Sequence, residues 1–546
     1  MRRSFRSPLT AMMREADAAC REARATGAPI DEIGAMRLER LASPARRTVL
    51  AGAASAAAAA FLPTRSFAIG KPRVAIVGGG LAGLCCAYDL WKKAGIAAKV
   101  FEWNNRAGGR VQTLRDYFIN NQTTEQHGES ISVGHTATLS LAREFGLSLW
   151  NTDATPHGKR NAYRFDGRPY TQMDLNADWQ SFGWKLFHHA VRLVPNANYR
   201  NYSKTAYEWD HMSVPEWIEQ YVPGGTASQF GGVCLSAVLD EYGGPPDQES
   251  ALNLVYLLGF DGSGYQPTQH PQLYGSNEKW QIQGGNDQLI TGLVARLPEG
   301  TVHFEHRLVA LRENSDRSYT CTFARDRALM EFEADQVVLA IPFTTLREVD
   351  LDHVHFSSLK RLAINTLPLG NNVKIQIQVD GSPWRRDNYN GDLLCGGAPE
   401  GGWDGSFFEN AKRQGATEIY VSLPGGREGQ NLAAKYGLKF GHYQGPAPLD
   451  LVTDTLSDLE RTFPGITEAW RQGPRLAWVN DGNIQPQLLG AWSQYNIGQY
   501  TGFSGIEKEA EGNIHFAGEQ TSLEFQGYME GAVRSGERAA REILGS

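Results

Sequence analysis

The residues best equipped for chemistry gather first around a glycine-rich loop. Gly78, Gly80 and Gly83 stand in the order GxGxxG, directly after the apolar run Val74-Ala75-Ile76-Val77 and directly before a helical stretch, Leu84 to Lys93. At a strand–turn–helix junction the first glycine allows the tight turn and the second lets the backbone approach a pyrophosphate. The third lets the helix lie close to the strand. The helix N-terminus adds free N–H groups and a positive dipole end. Glu102 closes the next apolar segment, Lys99-Val100-Phe101. An acid there accepts hydrogen bonds from the adenosine ribose hydroxyls and disfavours a 2′-phosphate. Arg106-Ala107-Gly108-Gly109-Arg110 follows, two cations around a flexible glycine pair that suit bidentate phosphate contact. These elements together read as a dinucleotide site.

A second group lies at the C-terminal end. Asn513-Ile514-His515-Phe516-Ala517-Gly518-Glu519 is an apolar strand stopped by Gly-Glu, and Gly527-Tyr528-Met529-Glu530-Gly531-Ala532 begins a helix rich in small residues. In these segments, and in Arg106–Arg110, Glu125–Ile131, Gln283–Leu289, Arg307–Leu311, Asp335–Pro342 and Asn371–Ile377, the chain resembles the flavin amine oxidase family, bacterial L-amino-acid oxidases and monoamine oxidases among them. The likeness runs from about residue 70 to the end.

The resemblance implies FAD as cofactor. It places Arg106, Gly109 and Arg110 beside the pyrophosphate, the Val309 backbone against the adenine, and Gly518 and Glu519 at the ribityl and phosphate part. The helix beginning at Met529 would point its N-terminus at the pyrimidine edge of the isoalloxazine, where reduced flavin carries negative charge. Glu125–Ile131 would pass near the flavin, with His127 where a glycine is common. Lys374 matches the lysine that bridges through water to flavin N5. Tyr528 and Trp492 match the aromatic pair that walls the substrate pocket and excludes water. Ala491 stands where monoamine oxidases carry the cysteine that bonds to flavin, so non-covalent FAD is expected. The implied reaction is oxidative deamination of an L-amino acid to a 2-oxo acid, ammonia and hydrogen peroxide, by hydride transfer to N5 and reoxidation by O2. The alternative is a monoamine or polyamine oxidase yielding an aldehyde, because the stretch His127–Ile131 lacks the arginine with which many L-amino-acid oxidases hold the substrate carboxylate.

Other chemistries find no footing. There is no GxSxG, HExxH or Walker loop, and the six cysteines show no spacing suited to zinc. A formal charge of −7 gives no basic footprint for nucleic acid. Asp240-Glu241-Tyr242 reads as an exposed acidic turn rather than as a reader of a basic substrate side chain, and single histidines such as His135 and His157 read as structural.

The elements that must position these residues are those of an α/β protein, with a Rossmann-like FAD-binding domain interleaved with an α+β substrate-binding domain. The expected division assigns 69–150, 276–344 and 481–546 to FAD, and 151–275 and 345–480 to substrate. An aromatic-rich stretch, Tyr163 to Tyr207, fits a substrate funnel, a homodimer face or plain core. Residues 1–68 read as an export leader, Arg- and Ala-rich before residue 43, with an amphipathic helical pattern there but no obvious core. Arg46-Arg47, the Ala-rich run Ala51–Leu62 and Ser66-Phe67-Ala68 resemble a twin-arginine signal. A periplasmic or secreted enzyme follows from that reading, and a cytoplasmic one if the leader is not a signal. The Ala-rich run is shorter than the ~20 apolar residues needed to span a bilayer, and no second span follows. The expected partners are a small amine or amino acid and O2, without nucleic acid or metal.

Overall fold

A computed structural model describes residues 8–42, 71–152, 160–165, 168–259, 278–397, 400–406, 417–441 and 444–545. The Arg46-Arg47 pair, the Ala-rich run and His157 lie outside the described residues.

The glycine-rich loop belongs to a five-stranded parallel sheet of β1 (Val74–Val77), β2 (Lys99–Phe101), β3 (Val302–His303), β4 (Gln336–Leu339) and β5 (Ile514–Phe516). Its spatial order is β5-β4-β1-β2-β3, every neighbouring pair parallel. β1, β4 and β5 are buried at every position, as a sheet covered on both faces requires. The strand order reverses direction between β1 and β4, and ligands of such sheets bind beyond the carboxyl ends of the strands at that reversal. Gly78 and Ala340, the residues following β1 and β4, stand there. The helix Leu81–Ala94 leaves the loop and packs against the C-terminal helix Met529–Gly545. Gly536 makes that approach possible, since a Cβ on it would lie 2.2 Å from the Ala82 carbonyl oxygen.

The second large element is an eight-stranded sheet containing the strands Val373–Asp380, Thr417–Ser422 and Ala477–Asp481. Val373–Asp380 alternates as its sequence implies, but both faces are buried up to Val379. Val373, Ile375, Ile377 and Val379 join an apolar cluster. Lys374, Gln376 and Gln378 instead meet the segment 119–129 through hydrogen bonds.

Two features refine the expected division. Asp350–His353 pairs in parallel with Arg307–Glu313, and the Lys360 ammonium donates to the Ile506, Glu507 and Glu509 carbonyls. Hydrogen bonding therefore crosses the division after 344. At the other end, helices Pro8–Thr26 and Ile30–Ala42 dock on the helix Gln172–Asp178, and the first of them also on the helical segment Trp179–Gly183 that continues it. Ala16 and Cys20 join the main apolar core alongside Trp179 and Phe187, and the Arg24 guanidinium lies 3.8 Å over the Trp184 ring. The segment read as coreless thus has an apolar face, and that face is covered. Among the described residues no helix is long and apolar enough to cross a membrane.

Candidate active site

The two glycine-rich loops meet back to back. The Gly108 N–H donates to the Gly79 carbonyl at 2.8 Å, and Gly80 bridges Gly108. Gly78 holds φ +106°, and a Cβ there would meet the Ala340 carbonyl oxygen at 2.6 Å, so this turn admits glycine only. A Cβ on Gly83 would fall 2.1 Å from the Gly78 carbonyl oxygen, which is how the helix lies so close to β1. Gly80 differs, because its Cβ would meet nothing within 4 Å. It faces a cavity.

That cavity is lined by Gly78, Gly80, Glu102, Arg106, Gly109 and Arg110 from the N-terminal loops and by Lys374, Trp492, Gly518, Glu519, Tyr528 and Met529 from later in the chain. Gly83 lies behind the wall, between helix and strand. Val309 is not part of the lining: Arg307 and Leu308 supply that stretch. The pairing of this strand with Tyr319–Arg325 slips between Leu308 and Ala310, so Val309 sits at a bulge, which re-aims side chains locally.

Glu102 is buried and already held, its carboxylate accepting from the Gly79 N–H and the Asn104 N–H at 2.7 Å each. Burial raises its carboxyl above the usual range, and those two N–H groups work against the rise. Glu519 ties four separated segments together. It accepts from Arg110 at 2.8 Å, from the Ser493 N–H and hydroxyl, and from the Gly527 N–H at 2.6 Å. Burial pushes this carboxyl up, but Arg110 and the donated hydrogen bonds bring it below the ordinary value.

Lys374 is 6% exposed. Its ammonium donates to the Glu125 and His127 carbonyls at 3.1 Å each and pairs with Glu129 at 2.7 Å. Glu129 also accepts from the Trp403 indole at 3.0 Å. His127 stays neutral, because burial and then Arg106, Lys374 and Arg110 push its imidazole well below the usual value. It has no positive φ, so the backbone needs no glycine there. The Tyr528 ring stands edge-on to His135, with centroids 5.1 Å apart.

Asp240-Glu241-Tyr242 is not an exposed turn. It is the last turn of the buried helix Gln229–Tyr242, with all three residues under 10% exposed. Gly243 (φ +72°) caps this core helix by donating to the Leu239 carbonyl. Glu129 and Glu241 were both missed as site residues. Only burial distinguishes them, and burial is not local information.

The residues present fit FAD. The open face of Gly80 meets an uncapped helix N-terminus, two arginines flank it, and the buried side-chain oxygens of Gln487 and Gln520 have no protein partner in the cavity wall.

The family model for flavin containing amine oxidoreductases matches residues 81–544. Flavin-containing amine oxidase B of Canis lupus familiaris is 24% identical over 498 residues, 87% of this chain and 86% of that protein. The Homo sapiens amine oxidase B is 24% identical over 497 residues, 87% of this chain and 86% of that protein. Among solved structures, cyclohexylamine oxidase from Brevibacterium oxydans IH-35A superposes with a TM-score of 0.70 at 19% identity, covering 87% of this chain and 99% of that one. Wild-type putrescine oxidase bound to putrescine gives 0.68 at 20% identity, with 87% and 99% covered.

Proposed function

Because the chain belongs to the flavin-containing amine oxidoreductase family, we propose that it oxidises an amine lacking an α-carboxylate to an aldehyde or ketone, ammonia and hydrogen peroxide. The observation that carries this reading is the state of the cations lining the cavity. Arg106 donates to the Ala107 and Gly109 carbonyls, Arg110 to Ala491 and Glu519, and Lys374 to Glu129. Arg307 lies 4.5 Å over the Trp103 ring. Lys374 and Arg110 are each paired with a carboxylate, and Arg106 and Arg307 lie in the stretches that the resemblance assigns to the pyrophosphate and the adenine. An L-amino acid would therefore bring its carboxylate to Lys374 and find no unpaired counter-charge there, which is costly in a dry site. The named relatives point the same way, being amine, cyclohexylamine and putrescine oxidases.

FAD, when bound, supplies the hydride acceptor and the route to O2. Non-covalent binding is part of the proposal: Ala491 lines the cavity, and no cysteine does. The chain's own residues do the rest. Trp492 and Tyr528 exclude water from the amine as its α-hydrogen leaves. The neutral His127 adds no charge that would repel a cationic amine. Lys374 spends its three N–H groups on two carbonyls and a carboxylate, so it serves as a cation held in a fixed place in the cavity wall. We further propose export in the folded state, on the Arg46-Arg47 and Ser66-Phe67-Ala68 pattern; finding the enzyme confined to the cytoplasm of its native host would overturn that part.

A peroxide-coupled screen of the FAD-loaded enzyme tests the reaction. Primary monoamines and diamines should give peroxide, and the twenty L-amino acids should give little. Peroxide from amino acids alone would restore the L-amino-acid reading, and silence across the panel with FAD bound would remove oxidase function.

A further inference from the structure

Helix Gln229–Tyr242 ends against Trp492 and Tyr528, two residues of the cavity wall. The last carbonyls of a helix have no N–H partner of their own. Here Gly243 N–H takes the Leu239 carbonyl, and the Trp492 indole N–H donates to the Glu241 carbonyl at 2.7 Å. The Glu241 carboxylate accepts from the Tyr528 hydroxyl at 3.1 Å. Trp492 and Tyr528 come from separate segments, one in the stretch leading to Glu519 and the other at the start of the C-terminal helix. The same residue therefore touches both aromatic walls, through its backbone and through its side chain.

We propose that Glu241 is the positioning residue of the aromatic pair, setting the spacing of the two rings between which the amine reaches the reacting end of the cavity. The assignment rests on the amine-oxidation reading for what passes between the rings.

Three observations support it. Glu241 is 4% exposed, and burying a carboxylate costs more than burying an apolar group of the same size, so its contribution is directional rather than volumetric. Its helix end is rigidly tied, because the Gly243 carbonyl accepts from the Asn371 and Gly426 N–H groups at 2.7 and 2.9 Å. Asn371 leads directly into the strand that carries Lys374, so one helix end registers the aromatic walls and the Lys374 strand together. Finally, the Trp492 carbonyl accepts from the Gly370 N–H at 2.7 Å, which brings the Trp492 backbone to the same junction.

The test compares Glu241→Gln, Glu241→Ala, Tyr528→Phe and the Glu241→Ala/Tyr528→Phe double variant, all loaded with FAD. Two readouts are taken: anaerobic flavin reduction by a primary amine, and binding of benzyltrimethylammonium, which has no nitrogen lone pair to assist loss of the α-hydrogen as hydride, by its perturbation of the flavin spectrum. Leaving the buried Tyr528 hydroxyl without its acceptor should slow reduction and weaken probe binding by about 10- to 100-fold in Glu241→Ala. Glu241→Gln, which keeps an acceptor, should recover most of that loss. The double variant should be no worse than the poorer single variant, because both remove one contact. Losses that multiply in the double variant, or a Tyr528→Phe enzyme identical to the parent in both readouts, would overturn the proposal. Should Glu241→Ala not fold, Glu241→Gln and Tyr528→Phe still decide it. A parent enzyme that binds the probe but oxidises no amine would refute the proposed function and leave the binding arm to judge Glu241.

Discussion

Gly80 and Gly83 lie three residues apart in one motif, and the structure gives them opposite duties. At Gly83 an added methyl would sit 2.1 Å from the Gly78 carbonyl oxygen, roughly an ångström short of any tolerated contact, with backbone on both sides of the clash. Gly83→Ala must therefore push the helix off β1, an overpacking cost of about 1–3 kcal/mol or more. That loss appears in the FAD-free protein as a Tm several degrees lower. Gly80 has φ −75° and nothing within 4 Å of a built Cβ, so Gly80→Ala strains no backbone and touches no neighbour. Its cost to the empty fold is limited to a poorer helix cap, about 1 kcal/mol at most. The methyl occupies the face that a pyrophosphate would approach. If two charge-assisted hydrogen bonds to the loop are lost, at about 1.5–3 kcal/mol each, FAD affinity falls by roughly 10²- to 10⁴-fold. The assay is FAD titration of the apoprotein by fluorescence quenching, paired with Tm in the absence of FAD. A Gly80→Ala protein that binds FAD as tightly as the parent would refute the placement of the phosphates. An unchanged Tm in Gly83→Ala would refute the packing argument.

Acid precipitation should release the yellow colour into the supernatant, because no cysteine lines the cavity; colour retained in the pellet would show a covalent flavin. Lys374→Met should slow flavin turnover at least about tenfold and also lower stability, since it leaves Glu129 buried without its cation at a cost of about 3–5 kcal/mol. Adding Glu129→Gln should restore the denaturation midpoint but not the turnover, and recovery of both would make Lys374 purely structural. Burial pushes the Glu125 and Glu400 carboxyls up to about 8. From pH 6.5 to 7.5 the folded chain then keeps two protons that the unfolded chain has released, and stability falls as pH rises, by about 1.4 kcal/mol per pH unit for each group. The neutral His127 acts in the opposite sense only below about pH 6.5, where the unfolded imidazole takes up a proton. Urea midpoints across that window should show the fall, and Glu125→Gln should about halve it; an equal slope in the variant would contradict the raised Glu125.

What was legible in the sequence and what was not divides along a physical line. The loop Gly78–Gly83 and its neighbours could be read because every constraint on them is local: a turn that needs positive φ, a helix that must lie close to a strand, an acid at the end of the next strand. The strand Val373–Asp380 was half legible. Its period-two alternation is real, yet which face met solvent depended on the segment 119–129 folding across it, and no pattern within eight residues encodes that. The acidic helix end at Asp240–Glu241 hides its burial for the same reason, and the segment before residue 43 shows its helical pattern but not the core that covers its apolar face, since charge and short apolar runs look like surface until a partner covers them. Val309 shows the finest grain of the effect: a register shift beside it is invisible in the sequence, and Arg307 and Leu308 line the cavity there. The buried ionisable groups follow from this. Glu519, Glu241 and Glu129 each join residues distant in sequence, and a carboxylate can do so in a dry interior only when several donors reach it together. Their positions are thus products of the assembled fold, and substitutions at them should disturb the site's geometry more than its composition.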